Sequence, residues 1–482
     1  MKESSRFYSS LGLLILLNVI IKPVWIFGID RQVQNIVGTE TYGTYFSLLG
    51  FSIVFSFLLD WGFTGFFNRE LAANKTGYIN KAGSFFLVKL LFSVFYVLVV
   101  FVAAWLAGVD HWDIAGYVVL IQVLTSLFLF VRSIITAEQW FITDAWLSVM
   151  DKLLMILVCG SFLVFPSLVG TISIQIFLMT QVVCTAMALI ISSLVLYKNG
   201  FSFSFHKFFL PDAGLIKSVL PFGMIVLLMS AHYRLDGFLL ERLHHNGAYE
   251  AGIYAGAYRL LDAANMIGFL LASFLLPFIA RQYSRGKSIT AVVINSRHLL
   301  LLFSLGISIV VFILAPWVQE KLYHNQNETA ITVLQYCLPA LVGYSLVQVY
   351  GTVLTATGHI MSFCFIVFVS FIINVLLNLF LAPSLGALGS CYAALISHFF
   401  CGITTLIYAS IKEKIRIDFF SFFLYAAIAG IMAGFLYFGQ QCISNNWLLL
   451  PGLVLIIFIV SAASKLIVID NWKIIFKQTD QL

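Results

Sequence analysis

Fourteen apolar stretches, each long enough to cross a bilayer, follow one another between Ser9 and Ser464. About 20 helical residues span the ~30 Å of hydrocarbon in a bilayer, so the repetition predicts an all-α polytopic membrane protein. Charged residues make up only 10% of the 482-residue chain, whereas soluble domains carry about 25%. The polar gaps are too short for a separate domain, which needs roughly 50 residues. The sequence therefore predicts one membrane-embedded unit.

The basic residues predict the orientation of the spans. We place the spans at 9–28, 42–67, 83–107, 114–136, 146–166, 170–197, 218–240, 251–280, 293–316, 331–355, 360–382, 386–410, 419–439 and 447–464. With the N-terminus inside, seventeen Lys and Arg residues fall in cytoplasmic segments and three, Arg31, Arg242 and Lys321, in outer loops. Short loops rich in Lys and Arg remain cytoplasmic. The bias predicts that both termini are cytoplasmic.

Two pairs of similar loops indicate an internal repeat. The pattern Gly-x4-Gly-x-Tyr begins at Gly38 and again at Gly247, and Pro-Ser-Leu begins at Pro166 and again at Pro383. Each pair joins corresponding spans of two six-helix halves. An even number of spans per half predicts a pseudo-two-fold axis along the membrane normal. The predicted domains are an N-lobe at 1–200, a C-lobe at 201–414, and two extra helices with a cytoplasmic tail at 415–482.

Polar residues recur at four-residue spacing inside several spans, and residues at this spacing share one face of an α-helix. The second span carries an unbroken stripe, the eleventh a shorter one and the first a pair. In that order they are Ser52, Ser56, Asp60 and Thr64; Ser370, Asn374 and Asn378; and Asn18 with Lys22. Such residues commonly join packed helices by hydrogen bonds. A stripe that also holds a charge favours a water-filled cavity, so both interpretations stay open for the uncharged members.

Three basic residues lie at membrane depth, where they could attract an anionic group. Arg234 and Arg259 lie toward the outer ends of spans seven and eight, and Lys22 lies well inside span one. A guanidinium matches the geometry of a phosphate. Two alternatives stay open. Arg259 can pair with Asp262 along one helix face, and Lys22 can extend its stem toward the interface. Snorkelling accounts for charges near span ends, such as Arg132.

Acidic residues at membrane depth are candidates for coupling transport to an ion. No Gly-x4-Gly-Lys-Ser/Thr nucleotide-binding motif occurs, so a transporter with this sequence would depend on an ion gradient, of H⁺ or Na⁺. The candidates are Asp60, Asp236 and Asp262. His232 shares a helix face with Asp236, and the two form either a proton-carrying pair or a buried structural hydrogen bond. The seven cysteines are scattered, so neither a metal site nor another cofactor is expected.

Several segments carry a family resemblance. They are 36–45 (IVGTETYGTY), 58–63 (LLDWGF), 68–70 (NRE), 235–240 (LDGFLL), 252–255 (GIYA), 258–260 (YRL) and the stretch from Asn374 and Asn378 through 386–389 (GALG). Together they resemble Wzx-like O-antigen or polysaccharide repeat-unit flippases of the multidrug/oligosaccharidyl-lipid/polysaccharide (MOP) exporter superfamily. The resemblance covers spans one to twelve.

This resemblance implies two six-helix lobes around a central cavity that opens alternately to each side. It implies transport, not catalysis: an undecaprenyl-pyrophosphate-linked oligosaccharide would cross from the cytoplasmic to the periplasmic leaflet of the bacterial inner membrane for O-antigen, capsule or exopolysaccharide synthesis. Lys22, Arg234 and Arg259 would be the cations for its phosphates. Expected partners are this substrate, membrane lipids, and a polysaccharide polymerase with a chain-length regulator, but no nucleic acid.

Three alternatives belong to neighbouring classes. A lipid II flippase of the same superfamily also has fourteen spans. A multidrug antiporter usually has twelve and carries cations, which fits basic cavity residues poorly. A membrane-embedded polymerase or glycosyltransferase is expected to have a large extracytoplasmic catalytic loop, whereas the longest outer loop here, 317–330, is short.

Overall fold

The computed structural model describes residues 2–73, 82–201, 213–324, 327–443 and 445–463. Helices are the only regular secondary structure in these ranges. Thirteen helices in them are long and apolar enough to cross a membrane. The predicted all-α polytopic architecture is therefore confirmed. Six basic residues that contributed to the orientation, and most of the predicted tail, lie outside the described ranges; the residues are Lys75, Lys81, Lys207, Lys465, Lys473 and Lys477.

The chain divides into two compact units, Met1–Glu241 and Arg242–Leu482. The boundary between the units falls inside the seventh long helix, Ala213–Leu243, so most of that helix belongs to the first unit. The predicted domains follow the internal repeat instead and end at 200 and 414, and they stay a prediction.

The described residues of the first unit form nine α-helices and most of a tenth. They are α1 Lys2–Val24, α2 Arg31–Val37, α3 Thr39–Val54, α4 Phe63–Ala73, α5 Ala82–Leu106, α6 Trp112–Ala137, α7 Phe141–Leu147, α8 Met150–Val164, α9 Ile174–Lys198 and α10 Ala213–Leu243. A π-helical segment, Trp25–Asp30, joins α1 to α2 without a break in the helical path. The first span therefore runs to Val37 and takes in Arg31, which we predicted to lie in an outer loop.

In the second unit, the residues that the structure describes form eight more α-helices. They are α11 Gly247–Ser284, α12 Thr290–Leu322, α13 Glu328–Cys337, α14 Ala340–Ala356, α15 Ile360–Leu385, α16 Ala387–Lys412, α17 Phe419–Cys442 and α18 Leu449–Ala463. The fourteenth predicted span corresponds to α18, of which 15 residues are described. At about 1.5 Å per residue the described part of this helix is shorter than the hydrocarbon thickness. It is not among the thirteen helices long enough to span.

Glycines allow some of these helices to approach very closely. A Cβ at Gly50 of α3 would overlap the carbonyl oxygen of Arg234 on α10. In the second unit, a Cβ at Gly343 of α14 would lie 2.6 Å from the carbonyl oxygen of His398 on α16. Small residues at such crossings let helix backbones meet inside a bilayer, where van der Waals packing drives association.

Candidate functional site

The second predicted span is interrupted at membrane depth. Helix α3 ends at Val54, a 3₁₀ segment covers Phe55–Leu59, and the chain turns before α4 begins at Phe63. The turn uses left-handed backbone, with φ of 49° at Trp61 and 82° at Gly62. A positive φ is uncommon for a residue with a side chain and is found where surrounding structure holds it.

This interruption corrects one prediction. The predicted stripe is not continuous on one α-helical face, because a 3₁₀ helix has three residues per turn rather than 3.6. The four residues of that stripe are Ser52, Ser56, Asp60 and Thr64. Ser52 lies on α3 and bonds to the hydroxyl of Tyr96 on α5. Ser56 lies in the 3₁₀ segment, and its side chain is half-buried.

The break brings Asp60 and Thr64 together with a residue that the sequence analysis did not single out. The ammonium of Lys89, on α5, lies 2.6 Å from Asp60 Oδ1 and donates to Thr64 Oγ1 at 3.2 Å. The same Oδ1 accepts the backbone N–H of Thr64 at 3.2 Å and the hydroxyl hydrogen of Thr64. One carboxylate oxygen thus gathers three donors.

The two partners of this ion pair differ in exposure. The side chain of Lys89 is 1% exposed, and that of Asp60 is 35% exposed. Half-buried Thr64 lies beside them, and the hydroxyl of Ser126 on α6 donates to the carbonyl of Leu59 at 3.4 Å. The accessible carboxylate therefore has an internal counter-ion. Any external cation that binds to Asp60 competes with the Lys89 ammonium.

A second group of charges lies beside α1. Asn18 is buried and donates to the carbonyl of Leu14 and to Ser148 Oγ, both at 2.8 Å. Half-buried Lys22 lies one turn further along, within electrostatic range of Asp151. Asp151 itself accepts from Lys152 at 3.1 Å. The Lys22 ammonium therefore shares its nearby carboxylate with another cation, and its role as a substrate cation stays a prediction.

Arg132 forms an ion pair rather than snorkelling freely. Its Nε lies 2.9 Å from Asp144 Oδ1, and the two side chains are only 17% and 9% exposed. The pair joins α6 to α7. The sequence spacing, 12 residues across an inter-helix turn, gave no signal for it because it is neither i,i+3 nor i,i+4.

Helix α10 carries three of the predicted site residues. His232 and Asp236 are each 1% exposed, while Arg234 between them is half-buried. The helical geometry puts His232 and Asp236 on one face and Arg234 on another, as the sequence predicts. Their proposed roles in proton transfer and phosphate binding stay predictions.

In the second unit, the predicted stripe on α15 lies in the interface with α16. Asn374 Nδ2 donates to Ser397 Oγ at 3.2 Å, and Asn378 accepts from Ser390 Oγ at 2.8 Å. Ser370 donates to a carbonyl of its own helix. All three predicted residues are fully buried. Their bonds have the interhelical character common in packed membrane helices, and their assignment to a cavity wall stays a prediction.

Helix α11 holds the remaining pair. Arg259 is 8% exposed and Asp262, three residues on, is half-buried. Whether Arg259 binds a phosphate or is neutralised by Asp262 stays a prediction. Among the described residues, no group of three or more His, Cys, Asp or Glu side chains is placed to hold a metal ion.

The side chain of the candidate site that the sequence analysis missed is Lys89. The signal was available, since it is the only charge in the apolar helix Ala82–Leu106, and such a residue is by default paired or functional. Its partner could not be identified, because Asp60 lies on another helix and is aimed by a backbone turn.

Comparison with known proteins gives one family and one fold. Residues 8–283 match the family described as polysaccharide biosynthesis protein. No curated protein sequence matches the chain.

Several solved structures share the fold at low identity. The lipid II flippase MurJ in an inward closed conformation has a TM-score of 0.68 at 12% identity, covering 94% of this chain and 97% of that one. An inward-facing multidrug resistance MATE family transporter of the MOP superfamily has a TM-score of 0.61 at 13% identity, with coverage of 84% and 94%. A MOP superfamily transporter from Pyrococcus furiosus has a TM-score of 0.61 at 14% identity, with coverage of 85% and 95%.

Proposed function

This chain belongs to the polysaccharide biosynthesis protein family and shares the fold of a MOP superfamily transporter and of the lipid II flippase MurJ, and from that premise we propose its cargo. The proposed cargo is an undecaprenyl-pyrophosphate-linked oligosaccharide, moved from the cytoplasmic to the periplasmic leaflet for O-antigen, capsule or exopolysaccharide synthesis. The protein would act as a transporter and not as an enzyme. Its proposed location is the bacterial inner membrane with both termini cytoplasmic, which the excess of basic residues in the predicted cytoplasmic segments supports.

The interrupted second span is the observation that carries the proposal. Transporters commonly place substrate and ion sites at discontinuous helices, because the break exposes backbone groups and side chains inside the membrane. Here the break holds a partly exposed carboxylate, Asp60, against a buried ammonium, Lys89. We propose that a proton or sodium ion exchanges with this ammonium at Asp60 during the transport cycle. Asp236 with His232, and then Asp262, are the further candidates.

The charge of the cargo fits the basic candidates. A pyrophosphate requires cations, and the sugar requires hydrogen-bonding groups. We propose Lys22, Arg234 and Arg259 for the phosphates, with Asn18 and the polar residues of spans two and eleven for the sugar. A polymerase and a chain-length regulator are the proposed protein partners downstream.

A lipid II flippase is the second candidate. The similarity to MurJ along 94% of this chain favours it at the level of the fold. The family matched by residues 8–283 favours a polysaccharide intermediate instead. The two candidates differ in the sugar and share the polyprenyl pyrophosphate, so the assay must compare complete substrates.

The deciding experiment uses proteoliposomes and a reagent that reaches only one leaflet. Flipping of an undecaprenyl-pyrophosphate-linked repeat unit is compared with that of lipid II, each with and without an imposed proton or sodium gradient. We expect the repeat unit to be flipped faster and the rate to respond to one gradient. Preference for lipid II would replace the proposed cargo.

The coupling site is tested in the same vesicles. Asp60→Asn is expected to abolish the gradient response while substrate binding remains. Asp144→Asn is the matched control, since it breaks another intramembrane ion pair of the same unit, and it is expected to keep the response. A rate indifferent to both gradients in the unmodified protein would remove the coupling role of Asp60.

A further inference from the structure

A second buried cation lies outside all the candidate residues above. Arg297, about two turns into α12, is 1% exposed and is the largest fully buried side chain in the described residues. A charge at this depth is costly unless the protein or a ligand supplies acceptors. The acceptors around Arg297 therefore decide what the residue does.

The protein supplies few hydrogen-bond acceptors for the Arg297 guanidinium. A guanidinium has five N–H donors. Arg297 Nη1 donates to the hydroxyl of Tyr350, on α14, at a long 3.4 Å, and the guanidinium lies 5.4 Å from the ring centroid of Phe422, on α17. Nε and Nη2 are buried without a hydrogen-bond acceptor in the part of the chain that the structure describes.

The nearby polar groups have other partners as well. The hydroxyl of Tyr425 interacts with the Arg297 guanidinium, and it also shares a hydrogen bond of 2.5 Å with His298 Nδ1. Asp418 is the N-cap residue of α17, and its carboxylate accepts from the backbone N–H of Phe420 at 3.1 Å and from the hydroxyl of Ser421 at 2.5 Å. The Ser421 bond lowers the pKa of Asp418 below its usual range. This carboxylate caps the helix, and it lies within electrostatic range of Arg297 without an ion-pair contact to it.

The approach to Arg297 is basic. The loop before α12 exposes Arg285 and Lys287, and the loop before α17 exposes Lys414 and Arg416. Arg297 lies about 10 Å along the helix axis from the first residue of α12 and near the start of the span predicted at 293–316, the end at which lipid headgroups are expected. The charge bias predicts that these loops are cytoplasmic, where the leaflet is anionic and attracts basic segments.

We propose that Arg297 binds the phosphate group of a membrane lipid that inserts between the ends of α12 and α17. The phosphate would accept from Nε and Nη2, for which a fork of parallel N–H donors is suited. The half-buried ring of Phe422 covers the guanidinium and would turn aside to admit it. The same chemistry is offered by a phospholipid and by a polyprenyl pyrophosphate, and the test separates them.

Native mass spectrometry and thermal unfolding of the delipidated protein provide the test. The probes are phosphatidylglycerol, undecaprenyl pyrophosphate, and two phosphate-free lipids of matched chains, diacylglycerol and undecaprenol. We expect the phosphate-bearing lipids to be retained and to raise the unfolding midpoint by several degrees more than their phosphate-free counterparts. Arg297→Met should lose this difference, and Arg297→Lys should keep part of it. Arg285→Met, which removes an exposed cation from the same region, should keep most of it.

The outcomes separate the explanations. Stabilisation by phosphatidylglycerol identifies a phospholipid site, whereas stabilisation by undecaprenyl pyrophosphate alone places Arg297 on the path of the cargo. Equal effects of phosphate-bearing and phosphate-free lipids in the unmodified protein would overturn the proposal and leave water as the missing acceptor. Tyr350→Phe tests the site if Arg297→Met fails to fold, because it removes the hydroxyl that accepts from Nη1 and should increase dependence on the phosphate-bearing lipid.

Discussion

The Lys89 ammonium lies 2.6 Å from the Asp60 carboxylate, yet the lysine is buried and the aspartate is one-third exposed. Removal of either partner therefore has unequal consequences. Without Asp60, the ammonium remains in an apolar interior, whereas without Lys89 the carboxylate retains access to water and the donors of Thr64. Breaking a buried pair is costly chiefly because of the charge left behind.

This asymmetry predicts the outcome of a double-mutant cycle. We expect Asp60→Asn to destabilise the protein by about 3 kcal/mol and Lys89→Met by only about 1 kcal/mol. The combined variant should be more stable than Asp60→Asn alone, since it removes the stranded charge. Unfolding in detergent, followed by the loss of native tryptophan fluorescence, measures all three. Equal losses of stability in the two single variants would show that access to water does not lower the cost of an unpaired Asp60 carboxylate.

Arg234 offers a test of phosphate recognition. We expect Arg234→Ala to impair flipping while the protein remains at its normal level in the membrane. Arg234→Lys should retain part of the activity, because it keeps the charge and loses the bidentate geometry. Surface polysaccharide and membrane abundance are measured together. Normal polysaccharide with the alanine variant would remove the substrate role, and loss of the protein from the membrane would assign Arg234 to structure.

The orientation of the chain can be tested by labelling single cysteines. Six of the seven native cysteines are buried and so are shielded from an aqueous reagent, and only the exposed Cys442 needs replacement by serine. In that background we expect Lys321→Cys to react with an impermeant thiol reagent from outside, and Arg285→Cys to react only after the membrane is opened. The reverse pattern would invert the topology and move the Arg297 site to the other leaflet.

The length and hydropathy of the apolar stretches predicted the helices well, because a membrane span depends on these two properties and each can be read from a single segment of sequence. The eleventh and thirteenth spans begin at 360 and 419 both in prediction and in structure. The prediction was wrong where the backbone departs from α-helical geometry inside an apolar stretch. Nothing in the apolar run around Phe55–Leu59 signals a change from α to 3₁₀ winding, although Gly62 marks a position where the turn was possible.

The candidate site was predictable only in part for a related reason. Charges within one helix, such as Arg259 and Asp262, can be paired from their spacing. Lys89 with Asp60, and Arg132 with Asp144, meet only through the packing of different helices. Arg297 forms no ion pair in the part of the chain that the structure describes, and the carboxylate within electrostatic range of it, that of Asp418, precedes another helix. A sequence shows which charges lie inside apolar helices, but the partners of those charges on other helices are known only from the tertiary structure.

Close helix crossings in each unit predict that glycine substitutions depend strongly on position. We expect Gly50→Ala and Gly343→Ala to destabilise the protein by about 1–3 kcal/mol, as overpacking usually does, because each new Cβ would meet a backbone carbonyl that cannot turn aside. Gly116→Ala, on α6, is the matched control, since no atom lies within 4 Å of its Cβ. That change should stabilise the helix by about 0.5–1 kcal/mol. Thermal unfolding midpoints of the three variants, measured in one detergent, compare them directly. If Gly116→Ala were as damaging as the other two, close backbone approach would not be the reason for glycine at Gly50 and Gly343.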